Sequence, residues 1–160
     1  MTLRYLPEHA EAARLALDLA EKEAAYLAYS HRTLFSEPID LAWVEALAQR
    51  DDLAEKIDAF VSRFGRLQDH IGDRLIPRFA ALLGETPKSL LDVLAYAERM
   101  GWIDAAEDFV GARRLRNLLV HEYMDNADLF LEALLAADRA TRLLFSIVAR
   151  MREQARQIGL

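Results

Sequence analysis

The sequence predicts an all-α protein: an antiparallel, up-and-down bundle of four to five helices. Three observations carry that expectation. The strong helix formers Ala, Leu, Glu and Arg dominate 160 residues that hold only 6 Gly and 4 Pro. Apolar residues recur at helical spacing through most of the chain, and no segment alternates with period two over a useful length. The breaks between periodic stretches are short, which lays successive helices side by side in opposite directions.

The first helix starts after Pro7 and runs to about Arg32, with Leu15, Leu19, Tyr26 and Leu27 among its apolar positions. Ser36-Glu37-Pro38 breaks it, and Pro38 suits the first turn of the next helix. That second helix carries Leu41, Val44, Leu47, Ala48, Leu53, Ile57, Phe60, Val61 and Phe64 at helical spacing. It extends past Gly65 as far as Leu83, with a kink around Gly72 and Pro77. Thr86-Pro87 reads as an N-cap followed by proline at the first helical position, opening a third helix that covers Leu90 to about Met100 and stops at Gly101. Asp104-Ala105-Ala106-Glu107 has the spacing of a capping box, with Asp in the capping place, for a fourth helix that reaches His121 or Tyr123. Asp125-Asn126 offers a fresh N-cap, and the last helix carries Leu129, Phe130, Leu134, Leu135, Leu143, Leu144, Ile147 and Val148.

At this length one domain, residues 1–160, can bury a core without disulfides or metal. The absence of cysteine excludes a disulfide framework, thiol catalysis and zinc–thiolate sites. The start, MTLRYLPEHAEAARL, lacks the basic segment and apolar run of a signal peptide, and LLFSIVA from Leu143 to Ala149 ends at an arginine long before a membrane-spanning length. The expectation is a soluble, cytoplasmic protein. A net charge of −6 argues against bulk, sequence-independent binding of nucleic acid. The cations are nevertheless almost all arginine, with lysine only at Lys22, Lys56 and Lys88. Arginine forks suit phosphates and carboxylates, although the codon usage of a GC-rich genome also favours Arg over Lys.

One stretch departs from the Ala, Leu and acid pattern: RRLRNLLVHEYMDN, Arg113 to Asn126. On a helical wheel Ala112, Leu115, Leu118 and Leu119 form a core-facing side. Arg113, Asn117 and His121 recur every four residues on another stripe, with Arg114 beside it; Arg116 and Tyr123 share a third. Arg116 and His121 stand five apart, roughly 140° around the helix, so one helix cannot aim both at the same atom unless it ends near His121 or a second copy contributes. Histidine exchanges protons near neutrality, and an arginine fork holds phosphate oxygens and the charge that grows on them, so these residue types suit phosphoryl transfer without a metal. The competing reading is a solvated helix face, with His121 placed favourably at the negative end of the helix dipole and Tyr123 at the core or its rim.

The run RNLLVHEY, Arg116 to Tyr123, resembles the R-N-x-x-x-H-x-Y motif of HEPN domains, HepT toxins in particular. The likeness covers roughly residues 40 to 150, with only the motif region specific. The first helix, about residues 7–33, extends beyond what the minimal domain requires. The resemblance implies a HEPN-like homodimer whose motifs meet at one cleft and cut RNA without metal or cofactor, leaving a 2′,3′-cyclic phosphate. Carried across, Arg116 holds the phosphate, Asn117 is the polar residue following it, and His121 is the catalytic acid/base. Tyr123 matches the tyrosine to which an MNT-type nucleotidyltransferase antitoxin attaches AMP. That would set a negative phosphate beside Arg116 and silence the site. Close relatives imply an alternative, a non-catalytic nucleotide- or substrate-binding subunit of a two-component nucleotidyltransferase. A helical dimerisation module with a structural motif is a third.

Other residues are weaker candidates. Arg113, Arg114, Arg66 and His70 are possible substrate contacts. Arg63, Arg66, Asp69 and His70 either line the motif's cleft or form a solvated face with internal ion pairs. Asp69-His70-x-x-Asp73 has donors for a metal but no second copy of the kind a di-metal bundle needs, so no metal site is expected. His9 and His31 are expected at the surface, Trp43 and Trp102 in core or interface, and Glu8, Glu11, Glu21 and Glu23 on a solubilising acidic face.

Overall fold

The computed structural model describes residues 4–121 and 125–160, and among them every regular element is helical. A single 3₁₀ turn, Pro7–His9, leads into α1, Ala10–Leu34. Its buried positions, Ala10, Ala13, Ala16, Leu17, Ala20, Leu27 and Leu34, repeat with helical period, and the small alanines let neighbouring helices approach closely. Leu15, Leu19 and Tyr26 fall outside that stripe and are exposed. Two further helical segments follow, α2 (Leu41–Glu45), extended by a 3₁₀ turn over Ala46–Gln49, and α3 (Asp51–His70). The α2 N-cap is Asp40, whose carboxylate accepts from the Trp43 N–H at 2.8 Å, so Pro38 lies ahead of the helix rather than in its first turn. The expected unbroken second helix is interrupted at Arg50, where the backbone leaves the helical region (φ −127°, ψ 79°).

The kink expected around Gly72 and Pro77 takes the form of one π-helical turn, Ile71–Leu75, between α3 and α4 (Ile76–Leu82). Proline offers no N–H and its ring crowds the carbonyl four residues earlier, so widening the ladder by one residue accommodates Pro77. Helix α5, Leu90–Arg99, is capped by Ser89, whose Oγ accepts from the Asp92 N–H, and not by Thr86-Pro87. It ends as the sequence suggests: Gly101 takes φ 78°, and Trp102 N–H reaches back to the Ala97 carbonyl at 2.9 Å. Helix α6, Ala106–His121, does not use the expected capping box. Asp104 is drawn to Arg150 at 2.9 Å, and the Ala106 N–H is accepted by Glu98 Oε2. Helix α7, Ala127–Ile158, starts at Asn126, whose Oδ1 accepts from the Leu129 N–H.

Four long walls close into a ring. Helix α1 runs antiparallel to α3, with Ala16 against His70 and Ser30 against Arg63. Helix α3 and the π turn that continues it run antiparallel to α6, with Gly72 of the turn against Phe109 and Gly65 of α3 against Arg116. Helix α7 packs against both α6 and α1, and is fixed antiparallel to α1 by Asp138 on His31 and by Arg152 on Asp18 and Glu21. Helix α1 is thus one of the four walls and not an appendage. Phe60, Phe64, Phe79, Phe109 and Phe130 are fully buried at the centre, and Trp102 packs edge-on to Phe79 and Tyr96. Among the described residues, no helix is long and apolar enough to cross a membrane.

Candidate functional site

Helix α6 carries the unusual stretch, and its side chains divide into three directions. Phe109, Ala112 and Leu119 are buried, and Arg116 falls in step with them. Leu115 and Leu118 are half-buried and line a groove along the α6–α7 seam, made of two adjoining hollows of about 440 and 500 Å³. Arg114 and Asn117 are exposed, and Arg113 is half-buried. The expected core face of Ala112, Leu115, Leu118 and Leu119 is therefore rotated: Arg116 belongs to the inward stripe, and the two leucines belong to the groove.

An arginine on an inward stripe needs an opening, and α3 supplies one. A Cβ built on Gly65 would lie 2.8 Å from Arg116 Nε and 3.3 Å from Cζ. The arginine thus crosses α3 directly over a glycine, and one turn further along α3 its Nη1 donates to Asp69 Oδ1 at 2.9 Å. The two side chains are 40% and 37% exposed, so the pair sits at the mouth of the seam and not in the core. Beside it the seam opens into a hollow of about 270 Å³ lined by Ile57, Asp58, Val61, Ser62, Leu119 and Val120.

The other α3 candidates separate from this cluster. His70 is buried, and its Nε2 lies 2.7 Å from the Ala16 carbonyl of α1; it is a bundle contact, not a substrate group. Arg63 donates to the Tyr26 carbonyl and to Ser30 Oγ, and Arg66 faces Glu23 at 3.6 Å. Of the four α3 residues that the sequence offered for a common cleft, only Asp69 meets the motif, because the other three lie on the face of α3 that packs on α1. Asp73 is exposed, so Asp69, His70 and Asp73 point to three different surroundings. The side chain of His121, the last residue of α6, and the whole of Tyr123 lie outside the described residues.

Two surface expectations are also corrected. His31 is half-buried among Phe35, Phe60 and Phe145, with Nε2 2.6 Å from Asp138 Oδ1. Glu21 and Glu23 are not simply solubilising, since they pair with Arg152 and Arg66 across helix interfaces. The role of Gly65 was missed from sequence; its only signal there is a glycine in mid-helix, one heptad before Gly72. No protein-family model matches the chain, and comparison with curated proteins and with solved structures finds no match.

Proposed function

We propose that this protein is a HepT-like ribonuclease toxin of a toxin–antitoxin pair, HEPN-like in fold, cytoplasmic and active as a homodimer. The observation that carries the reading is the run Arg116-Asn117-x-x-x-His121-x-Tyr123 at the close of a capped helix, with its arginine set at the mouth of a helix seam. In the reaction the 2′-hydroxyl of RNA attacks the adjacent phosphorus, and the 5′-oxygen leaves. The products are a 2′,3′-cyclic phosphate and a 5′-hydroxyl end. His121 serves as acid/base, Arg116 balances the charge growing on the phosphate, and Asn117, exposed one turn before His121, orients either group. Arg113 and Arg114 flank the path of the strand. The roughly 140° between Arg116 and His121 is relieved if each cleft draws on two chains. The apolar α6–α7 groove, with Leu135 exposed at 39%, supports a second copy as the partner. An MNT-type nucleotidyltransferase antitoxin would silence the site by attaching AMP to Tyr123.

The alternative, a non-catalytic nucleotide- or substrate-binding subunit of a two-component nucleotidyltransferase, has one observation in its favour. Asp69 sets a carboxylate beside Arg116, and that negative charge offsets part of the positive charge a transition state would draw on, which matters more for catalysis than for binding. The test is an RNA-cleavage assay in excess EDTA with wild type, Arg116→Ala and His121→Ala, and end-group analysis of the products. Cyclic-phosphate ends from wild type alone support the nuclease. Inert wild-type protein, shown by intact mass to carry no AMP, refutes it and favours the binding subunit.

A further inference from the structure

Gly65 on α3 and Gly72 in the π turn that continues it stand seven residues apart, and opposite them Arg116 and Phe109 stand seven residues apart on α6. Each glycine is a hole that receives one knob. At Gly72 the knob is a buried ring that seals the core. At Gly65 it is a half-exposed cation, which packing alone would not select. We infer that Gly65 and Asp69 are positioning residues. They form a cradle on α3 that lays Arg116 across the seam and fixes the azimuth of its guanidinium for an incoming phosphate.

The inference rests on the reading of Arg116 as the phosphate-holding group. Its geometry is set by two points on one helix. The Gly65 Cα surface lets Nε and Cδ lie flat, and Asp69, one turn on, takes Nη1. That hydrogen bond uses one of the fork's five N–H donors, and the arginine side chain is 40% exposed, so the fork faces solvent where a phosphate could reach it. A methyl group at position 65 would overlap Nε at 2.8 Å and push the arginine off α3. The helix itself gains from that change, because alanine is a better helix former than glycine. Loss of function and loss of fold are thereby uncoupled.

The experiment measures wild type, Gly65→Ala, Asp69→Ala and Asp69→Asn for RNA cleavage in EDTA, for melting temperature, and for the response of the Arg116 Nε–Hε resonance to added AMP. The expected result is a drop in kcat of about 10²-fold for Gly65→Ala, as for a misplaced catalytic group, with KM and melting temperature held. Asp69→Ala should lose activity likewise. Asp69→Asn, which keeps an oxygen acceptor, should recover most of it; a merely structural pair predicts no such split. Wild-type kcat in Gly65→Ala overturns the inference. If wild type cuts no RNA, the nuclease reading fails but the cradle is still read by AMP. A shift of the Arg116 resonance in wild type and not in Gly65→Ala then supports it as an anion seat, and no shift in either overturns it.

Discussion

Replacing Arg116 with alanine separates a functional arginine from a structural one, provided its stability cost is known beforehand. The ion pair to Asp69 is single-pronged at 2.9 Å, with side chains 40% and 37% exposed. Pairs this exposed are worth about 0.2–1 kcal/mol. The aliphatic stem over Gly65 adds a few tenths to the loss, on the order of what a snorkelling side chain contributes, and the better helix propensity of alanine returns a little. The net cost is about 1 kcal/mol, which lowers the melting temperature of a chain this size by roughly 2–4 °C. Thermal and urea unfolding of Arg116→Ala, Asp69→Ala and the double variant give this cost and a coupling energy of about 0.5 kcal/mol. Sedimentation reports whether assembly survives. A loss above about 3 kcal/mol, the range for breaking a buried pair, would mean that the arginine staples α6 to α3. In that case a loss of RNA cleavage would say nothing about catalysis.

Other positions test the packing directly. Gly72→Ala would bring a Cβ to 3.2 Å from two atoms of the fully buried Phe109 ring. Overpacking should outweigh the helix-propensity gain and cost about 1 kcal/mol, seen as a lower melting temperature than that of Gly65→Ala; equal temperatures would refute the distinction between ring and arginine. His70→Ala removes a buried ring and its bond to the Ala16 carbonyl, for about 2–3 kcal/mol by urea unfolding, while the rate per folded molecule should stay that of wild type. The hydrogen bond and charge of Arg150 hold the Asp104 carboxyl below its ordinary 3.8. A folded-state value below the unfolded one gives stability that is present above 3.8 and lost as pH falls through the folded value. The gap in melting temperature between wild type and Asp104→Asn should therefore close on acidification from pH 7, and it should be absent at any pH in an Arg150→Ala background. A gap that survives in that background would return Asp104 to helix capping.

The bundle was legible because its helices advertise themselves: Gly101 ends α5 and Asn126 opens α7 as their residue chemistry requires. What escaped was chosen by partners distant in sequence. Asp104 has a capping spacing, but Arg150, on α7, takes its carboxylate and leaves the α6 amide to Glu98. The break at Arg50 has no proline or glycine to mark it. On α3, residues 63, 66, 69 and 70 look like one polar face, yet they straddle the line between the neighbours α1 and α6. A helical wheel gives angles within one helix, but it does not say which neighbour stands at which angle. The same limit hid Gly65, whose meaning depends on an arginine 51 residues later in the chain.

The rotation of α6 bears on where a complete site can form. Arg116 leaves the helix toward α3, whereas Asn117 is exposed and shares a wheel stripe with His121. Under the proposed ribonuclease reading, two directions on one helix call for a cleft built from the arginine of one chain and the histidine of another, in an isologous dimer with two equivalent clefts. Mixing inactive Arg116→Ala with inactive His121→Ala then has a definite outcome. Random exchange makes half of the dimers mixed, and each mixed dimer carries one cleft with both groups and one with neither. Activity should return to about a quarter of wild type. If each cleft takes both groups from a single chain, every cleft in the mixed dimer lacks one of them and mixing restores nothing. A silent mixture, with subunit exchange verified by mass, would therefore place Arg116 and His121 at one intrachain site, at the end of α6.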